Sequence, residues 1–189
     1  MQRLILGISG ASGAIYGRRL LELTQALPVE THLILTASAG RTLSHELDLQ
    51  PERLAELADV WHDNENVGAG PASGSFRALG MIVAPCSIRT LSAIAYSQAA
   101  NLLQRSADVM LKERRPLILQ VRETPLHLGH LRAMTQATEC GAIIAPPVPA
   151  FYQHPTSLDD MVTQTCARLL GLVGLDTPAL RRWTGLPVG

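Results

Sequence analysis

Along the chain, short apolar runs rich in β-branched residues alternate with longer segments whose apolar positions recur at helical spacing. Residues 4–8 read as a strand, followed by a glycine-rich turn at 10–13 and a helix over about 14–26. A second strand at 29–36 leads into a helix at 39–47. A third at 81–84 precedes helical patterns at 87–96 and 102–114. Residues 117–121 form the fourth strand, 127–140 a helix, 142–145 the fifth strand and 157–170 a closing helix. Strands alternating with helices build βαβ units, hence a central parallel sheet covered on both faces. The pattern predicts an α/β three-layer fold, one domain over residues 1–189, with a tail carrying Pro178, Trp183 and Pro187. The stretch 63–77, rich in Gly, Ala, Ser and Asn, is too long for a simple connector and reads as a site loop.

Composition narrows the classes. Of 189 residues 47% are hydrophobic and 17% charged, which supports a substantial core and excludes disorder. Sixteen basic residues balance sixteen acidic ones, so no basic excess points to nucleic acid or an anionic membrane. Near-zero net charge tolerates self-association, and a homo-oligomer is expected. Fifteen of the basic residues are Arg; the single Lys is Lys112. Three scattered cysteines without CxxC spacing argue against a disulfide framework or a zinc knuckle and for a reducing compartment. No stretch reaches the roughly 20 apolar residues of a membrane span. The expected location is the cytoplasm.

In such sheets ligands sit outside the carboxyl ends of the strands, so the chemistry is sought in the turns there. The first turn is Gly7-Ile8-Ser9-Gly10-Ala11-Ser12-Gly13. Its glycines permit close backbone approach, and the helix behind offers free N–H groups to an anion. A nicotinamide dinucleotide would want an acid at the end of the second strand, where this chain has Thr36-Ala37-Ser38. The third turn, Pro85-Cys86-Ser87-Ile88-Arg89-Thr90, places Ser87 as a helix cap beside further hydroxyl and N–H donors. Cys86 reads as a small buried hydrophobe rather than a nucleophile. In the fourth, Arg122-Glu123-Thr124-Pro125 sets a cation beside a carboxylate, suited to anion binding and proton transfer. The fifth, from Pro146 to Tyr152, is rigid and aromatic enough to wall a pocket. Asp159-Asp160 lacks the remaining acids of DDxxD and fits a helix's first turn. His127 and His130 have no convergent third ligand, and no metal site is expected.

Together GISGASGAIYG, Ala72-Ser73-Gly74-Ser75, PCSIRTLS, ADVMLKERRPL, VRETPLHLGHLRAM and PPVPAFYQHPTSLDD resemble the UbiX-type flavin prenyltransferases over essentially the whole chain. The resemblance implies a flavodoxin-like (Rossmann-type) fold. It implies transfer of dimethylallyl from dimethylallyl monophosphate to reduced FMN, giving prenylated FMN for a UbiD-type decarboxylase, in ubiquinone biosynthesis or aromatic acid decarboxylation. A dodecamer with sites at subunit junctions is implied as well. FMN is implied to meet Gly10, Ala11, Ser12, Thr36, Ser87, Ile88, Arg89, Thr90 and Arg122. The allylic phosphate is implied to meet Lys112, Arg122, Tyr152 and Arg168, and the catalytic set to include Glu123, Ser12, Glu46 and Trp183. One departure stands out: the family's Ser-Lys after strand two is here Thr36-Ala37, which keeps the hydroxyl and loses the ammonium.

The residues fit that chemistry. Lys112, Arg122 and Arg168 supply cations for a phosphate leaving group without metal, and Glu123 suits removal of the ring-closure proton. Two other readings compete. A flavin-dependent cysteine decarboxylase would carry Ala-Ser-Ala-Asn-Thr where this chain has Cys86-Ser87-Ile88-Arg89-Thr90. A flavodoxin-like electron carrier would be acidic.

Overall fold

A computed structural model describes residues 1–185; the last four residues of the expected domain, Pro187 among them, lie outside the described residues. Six parallel strands form one sheet: β1 (Gln2–Ile8), β2 (Val29–Leu35), β3 (Val60–His62), β4 (Gly80–Cys86), β5 (Leu117–Val121) and β6 (Ile143–Ile144). Their order is β3-β2-β1-β4-β5-β6, the doubly wound order with its reversal between β1 and β4. The central pair runs from Gln2 opposite Val29 to Ile8 opposite Leu35. β1, β2, β4 and β5 are largely buried because helices cover both faces, and they carry Thr31, His32 and Gln120 buried among their apolar residues.

Helices α1 (Ala14–Thr24), α2 (Ala37–Leu47), α3 (Pro51–Ala55) and α7 (Leu158–Leu172) pack on one face. There Leu20, Leu21, Leu43, Leu54 and Leu170 meet Leu4, Leu33 and Ile82. On the other face α4 (Ile88–Ala95), α5 (Leu102–Lys112) and α6 (Leu128–Glu139) bury Leu91, Leu103, Met110 and Ala133 against Ile5, Val83 and Leu119. Truncating a fully buried residue such as Leu33 to Ala costs about 2–5 kcal/mol. Among the described residues no helix is long and apolar enough to cross a membrane.

The expected three-layer α/β fold is borne out, with local differences. β3 and α3 are additional to the pattern. Thr36 does not extend β2; its Oγ1 accepts the Ala39 N–H at 3.1 Å and starts α2 two residues early. Ser157 caps α7 in a reciprocal box with Asp160, so the acidic pair has a helix-starting role, while Asp159 pairs with Arg19 of α1. His127 caps α6 by accepting the Gly129 N–H at 3.0 Å, and its ring stacks on His130.

The 63–77 stretch is pinned to the α5 face. Asn64 accepts the first N–H groups of α5, and Arg115 donates to the carbonyls of Phe76 (2.6 Å) and Gly74 (2.9 Å). Phe76 sets its ring edge-on to buried His32 and under the Arg3 guanidinium.

Candidate functional site

The reversal of strand order brings the turns after β1 and β4 face to face, and buried Ser9 ties them together. Its Oγ donates to the Pro85 carbonyl at 3.0 Å and accepts the Ser87 N–H at 2.7 Å. Gly10 lies so close to Ser38 at the start of α2 that an added Cβ would overlap it. Gly13, at φ 106°, holds the left-handed conformation that turns the chain into α1.

Glu46, late in α2, reaches back to this turn. Its carboxylate accepts the Gly13 N–H at 2.9 and 3.2 Å and the Ala14 N–H at 2.9 Å. Burial opposes its charge, but hydrogen bonds from Ser12, Gly13 and Ala14 and the Arg122 guanidinium outweigh that and hold the carboxyl below its ordinary range. The positive end of α1 therefore carries an anion from within the chain.

The start of α4 is different. Ser87 caps it, accepting the Thr90 N–H at 3.3 Å and donating to Thr90 Oγ1 at 3.1 Å. No acidic residue stands in its first turn, and the N–H groups of Ile88 and Arg89 have no intrahelical partner. Hydroxyls, open N–H groups and the Arg89 charge make this end receptive to a phosphate. Cys86 just before it is fully buried, and burial pushes its thiol well above the ordinary range.

Arg122 extends the β5 ladder by donating its N–H to the Cys86 carbonyl at 3.1 Å. Glu123 beside it accepts the Thr124 N–H at 3.0 Å. Among the described residues neither side chain forms an ion pair within 4 Å, so the adjacent Arg–Glu pair suggested by the sequence is not made. Both are exposed at the carboxyl edge. Arg122 acts instead on Glu46 and on Tyr16, whose phenol is raised by burial and by Cys166 and drawn back by that guanidinium. Tyr16 was not among the sequence candidates. Its place one turn into the helix behind Gly13 was the available signal.

A cavity of about 740 Å³ runs along β6 and α7. Tyr152, Arg168 and Trp183 share it, with an apolar floor from Ile144, Ala145 and Leu169. The structure thus forms two groups: Gly10–Ser12, Thr36, Glu46, Ser87–Thr90, Arg122 and Glu123 at the strand ends, and Tyr152, Arg168 and Trp183 in the cavity.

Lys112 joins neither group within one chain. It is the last residue of α5, just before β5 begins, whereas Arg122 follows the end of β5. The five residues of that strand separate the two by about 17 Å at roughly 3.3 Å each. Lys112 pairs with Glu113 at 2.5 Å, lowering that carboxyl, and lies beside Gly74. The 63–77 loop runs along α5, from Asn64 at the helix start to Gly74 beside Lys112 at the amino edge. Among the described residues no group of three or more His, Cys, Asp or Glu side chains is placed to hold a metal ion.

Residues 1–163 match the family described as Flavoprotein. The chain is 57% identical to flavin prenyltransferase UbiX of Thauera aromatica over 183 residues, 97% of this chain and 94% of that one. Among solved structures it superposes on AnUbiX (PadA1) in complex with FMN and dimethylallyl pyrophosphate. The TM-score is 0.96 at 46% identity, covering 98% of this chain and 99% of the other. It also superposes on a dodecameric FMN-dependent UbiX-like decarboxylase from Escherichia coli O157:H7, with TM-score 0.93 at 44% identity over 97% and 100% of the two chains. Full-length identity of this order, on a fold whose open helix end and strand-end turns suit a flavin phosphate, places the chain in the flavoprotein family and, within it, among the UbiX flavin prenyltransferases.

Proposed function

We propose that this protein transfers the dimethylallyl group of dimethylallyl monophosphate to reduced FMN, releasing phosphate and yielding prenylated FMN. The observation that carries the reading is the contrast at the strand ends. The α1 end is neutralised by Glu46, while the α4 end presents Ser87, Thr90, two open N–H groups and Arg89 beside a turn kept free of side chains at Gly10. That set fits an FMN phosphate, with Ala11, Ser12, Thr36, Ile88 and Arg122 along the flavin.

Tyr152 and Arg168 hold the allylic phosphate in the cavity that Trp183 closes, and Arg122 of the strand-end group joins them where a second copy brings the two groups together. Cations on the leaving group favour its departure as charge develops. Glu123 accepts the proton lost when the new ring closes, standing exposed at the strand end with no ion pair among the described residues. Reduced FMN supplies the nucleophilic ring.

Lys112 serves as a phosphate ligand only if a second copy presents its amino edge to this site. Its placement on the far side of the sheet is what supports a shared site in a homo-oligomer, a dodecamer like the E. coli relative. The product goes to a UbiD-type decarboxylase, and the enzyme works in the cytoplasm. The cysteine decarboxylase alternative gains nothing: the turn reads Ser87-Ile88-Arg89-Thr90, without the Asn of that family's block.

The test is an anaerobic incubation with reduced FMN and either dimethylallyl monophosphate or pyrophosphate, read by mass and absorbance. A flavin heavier by one dimethylallyl unit, formed from the monophosphate and unaffected by EDTA, is expected. No mass change with either donor would overturn the reading. Loss of activity in EDTA with recovery in magnesium would overturn its metal independence.

A further inference from the structure

Beyond α7 the chain doubles back and is fastened at one residue. The Arg181 carbonyl accepts two hydrogen bonds, from Gln164 Nε2 at 2.7 Å and from Gln153 Nε2 at 3.0 Å. The Arg181 N–H donates to Gln164 Oε1 at 3.2 Å. A single amide thus pairs with both backbone groups of one residue, as a neighbouring peptide would. Two residues later Trp183 meets Tyr152 edge to face, ring centroids 5.5 Å apart at 81°.

The two glutamines stand at telling positions. Gln164 lies one turn before Arg168 on the same stripe of α7 and lines the same cavity. Gln153 directly follows Tyr152. Each anchor therefore adjoins a residue assigned above to the allylic phosphate, and the anchored strap carries Trp183. Trp183 is itself about half exposed, 55%, so packing alone does not hold it. Its place against Tyr152 depends on the backbone fastened two residues earlier.

We infer that Gln164, assisted by Gln153, is a positioning residue for prenyl transfer. By pairing with the Arg181 backbone it fixes the strap so that Trp183 and Tyr152 together wall the cavity around the allyl group. This rests on the reading of Tyr152 and Arg168 as allylic-phosphate ligands. Only an amide completes the pairing. A carboxylate at 164 keeps the acceptor for the Arg181 N–H but loses the donor and sets an oxygen against the Arg181 carbonyl. Walling the cavity keeps water from the carbon that gives up its phosphate.

Trp61 and Trp183 are the two tryptophans of the chain, so Trp61→Phe leaves Trp183 as the emitter. In that background, Gln164→Glu should shift Trp183 emission to the red. It should raise KM for dimethylallyl monophosphate roughly five- to tenfold, the scale of one or two lost hydrogen bonds. FMN affinity and Tm should stay close to the parent's, because Gln164 lies on the partly exposed side of α7. Gln153→Ala should give a smaller change of the same kind, and the double variant the largest. Unchanged emission in the double variant would overturn the latch. Altered emission with unchanged KM and kcat would overturn the positioning role. A parent protein that makes no prenylated flavin, yet shows the emission change on Gln164→Glu, would overturn the function reading while the latch stands, so the two fail separately.

Discussion

Helices α1 and α4 begin side by side at the switch point of the sheet, yet they meet anions in opposite ways. The glycine-rich entry to α1 looks like a phosphate cradle, but Glu46 occupies its N–H groups. The entry to α4, Ala84-Pro85-Cys86-Ser87, has no glycine and still presents unpaired donors, because its cap is a neutral serine. What makes a helix end a ligand site is therefore the charge already bound there, more than the glycine content of its turn. The glycines are needed for other reasons: a Cβ on Gly10 would overlap Ser38, and Gly13 holds the left-handed conformation at φ 106°.

The largest predicted effect lies outside both helix ends. Glu123→Gln keeps size and hydrogen bonding but removes the base. It should slow prenylated-flavin formation by about 10²–10⁴ in stopped-flow absorbance and leave FMN affinity unchanged. Near-parental turnover would move the proton to the released phosphate or to Glu46, and Glu46 would then be more than an internal anion. Next comes Lys112→Ala. Loss of one charge-assisted bond to phosphate predicts roughly a ten- to hundredfold rise in KM for the allylic phosphate. If a second copy supplies the ammonium, mixing Lys112→Ala with Arg168→Ala subunits should restore part of the activity in mixed oligomers. Unchanged KM would remove Lys112 from the site.

Smaller effects separate the two helix ends directly. Ser87→Ala should weaken FMN binding about three- to tenfold by flavin fluorescence, through one hydroxyl and a loosened cap. Glu46→Gln should act first on stability. The Glu46 carboxyl is held below its ordinary range, so its contribution is complete above the ordinary carboxylate range and is lost as pH falls through the lowered value. The residue is exposed and solvent-screened, so about 0.3–1 kcal/mol is at stake. The variant should flatten the acid side of the denaturation profile. An unchanged profile would mean that the α1 end does not depend on its carboxylate.

The long apolar strands and the helices between them were legible because each strand is buried on both faces and each helix keeps its period. β3 and α3 were not. β3 is three residues, Val60-Trp61-His62, paired on one side only to β2, and α3 is five residues started by Pro51. Neither is long enough to show a period. Strand ends blurred where the residue after a strand caps the next helix, as Thr36 does for α2. For the site, the carboxyl-end rule pointed to the turns that the structure gathers at the switch point of the sheet. The Glu46 contact with Gly13 spans 33 residues and leaves no local signal. Lys112 was readable in principle: a helix that ends just before a strand begins delivers its last residue to the strand's amino edge. The strap was hidden because its bonds go to the Arg181 backbone, which no side-chain pattern reports.

The proposed site holds the flavin phosphate at the α4 end and not at the glycine-rich α1 end. Riboflavin, which lacks the phosphate, isolates that contact. Titrations of FMN and riboflavin against the parent, Ser87→Ala/Thr90→Val and Glu46→Gln give the phosphate's contribution in each. A strong FMN preference is expected in the parent and in Glu46→Gln, reduced about tenfold or more in Ser87→Ala/Thr90→Val. A preference that survives the α4 changes and collapses in Glu46→Gln would contradict it.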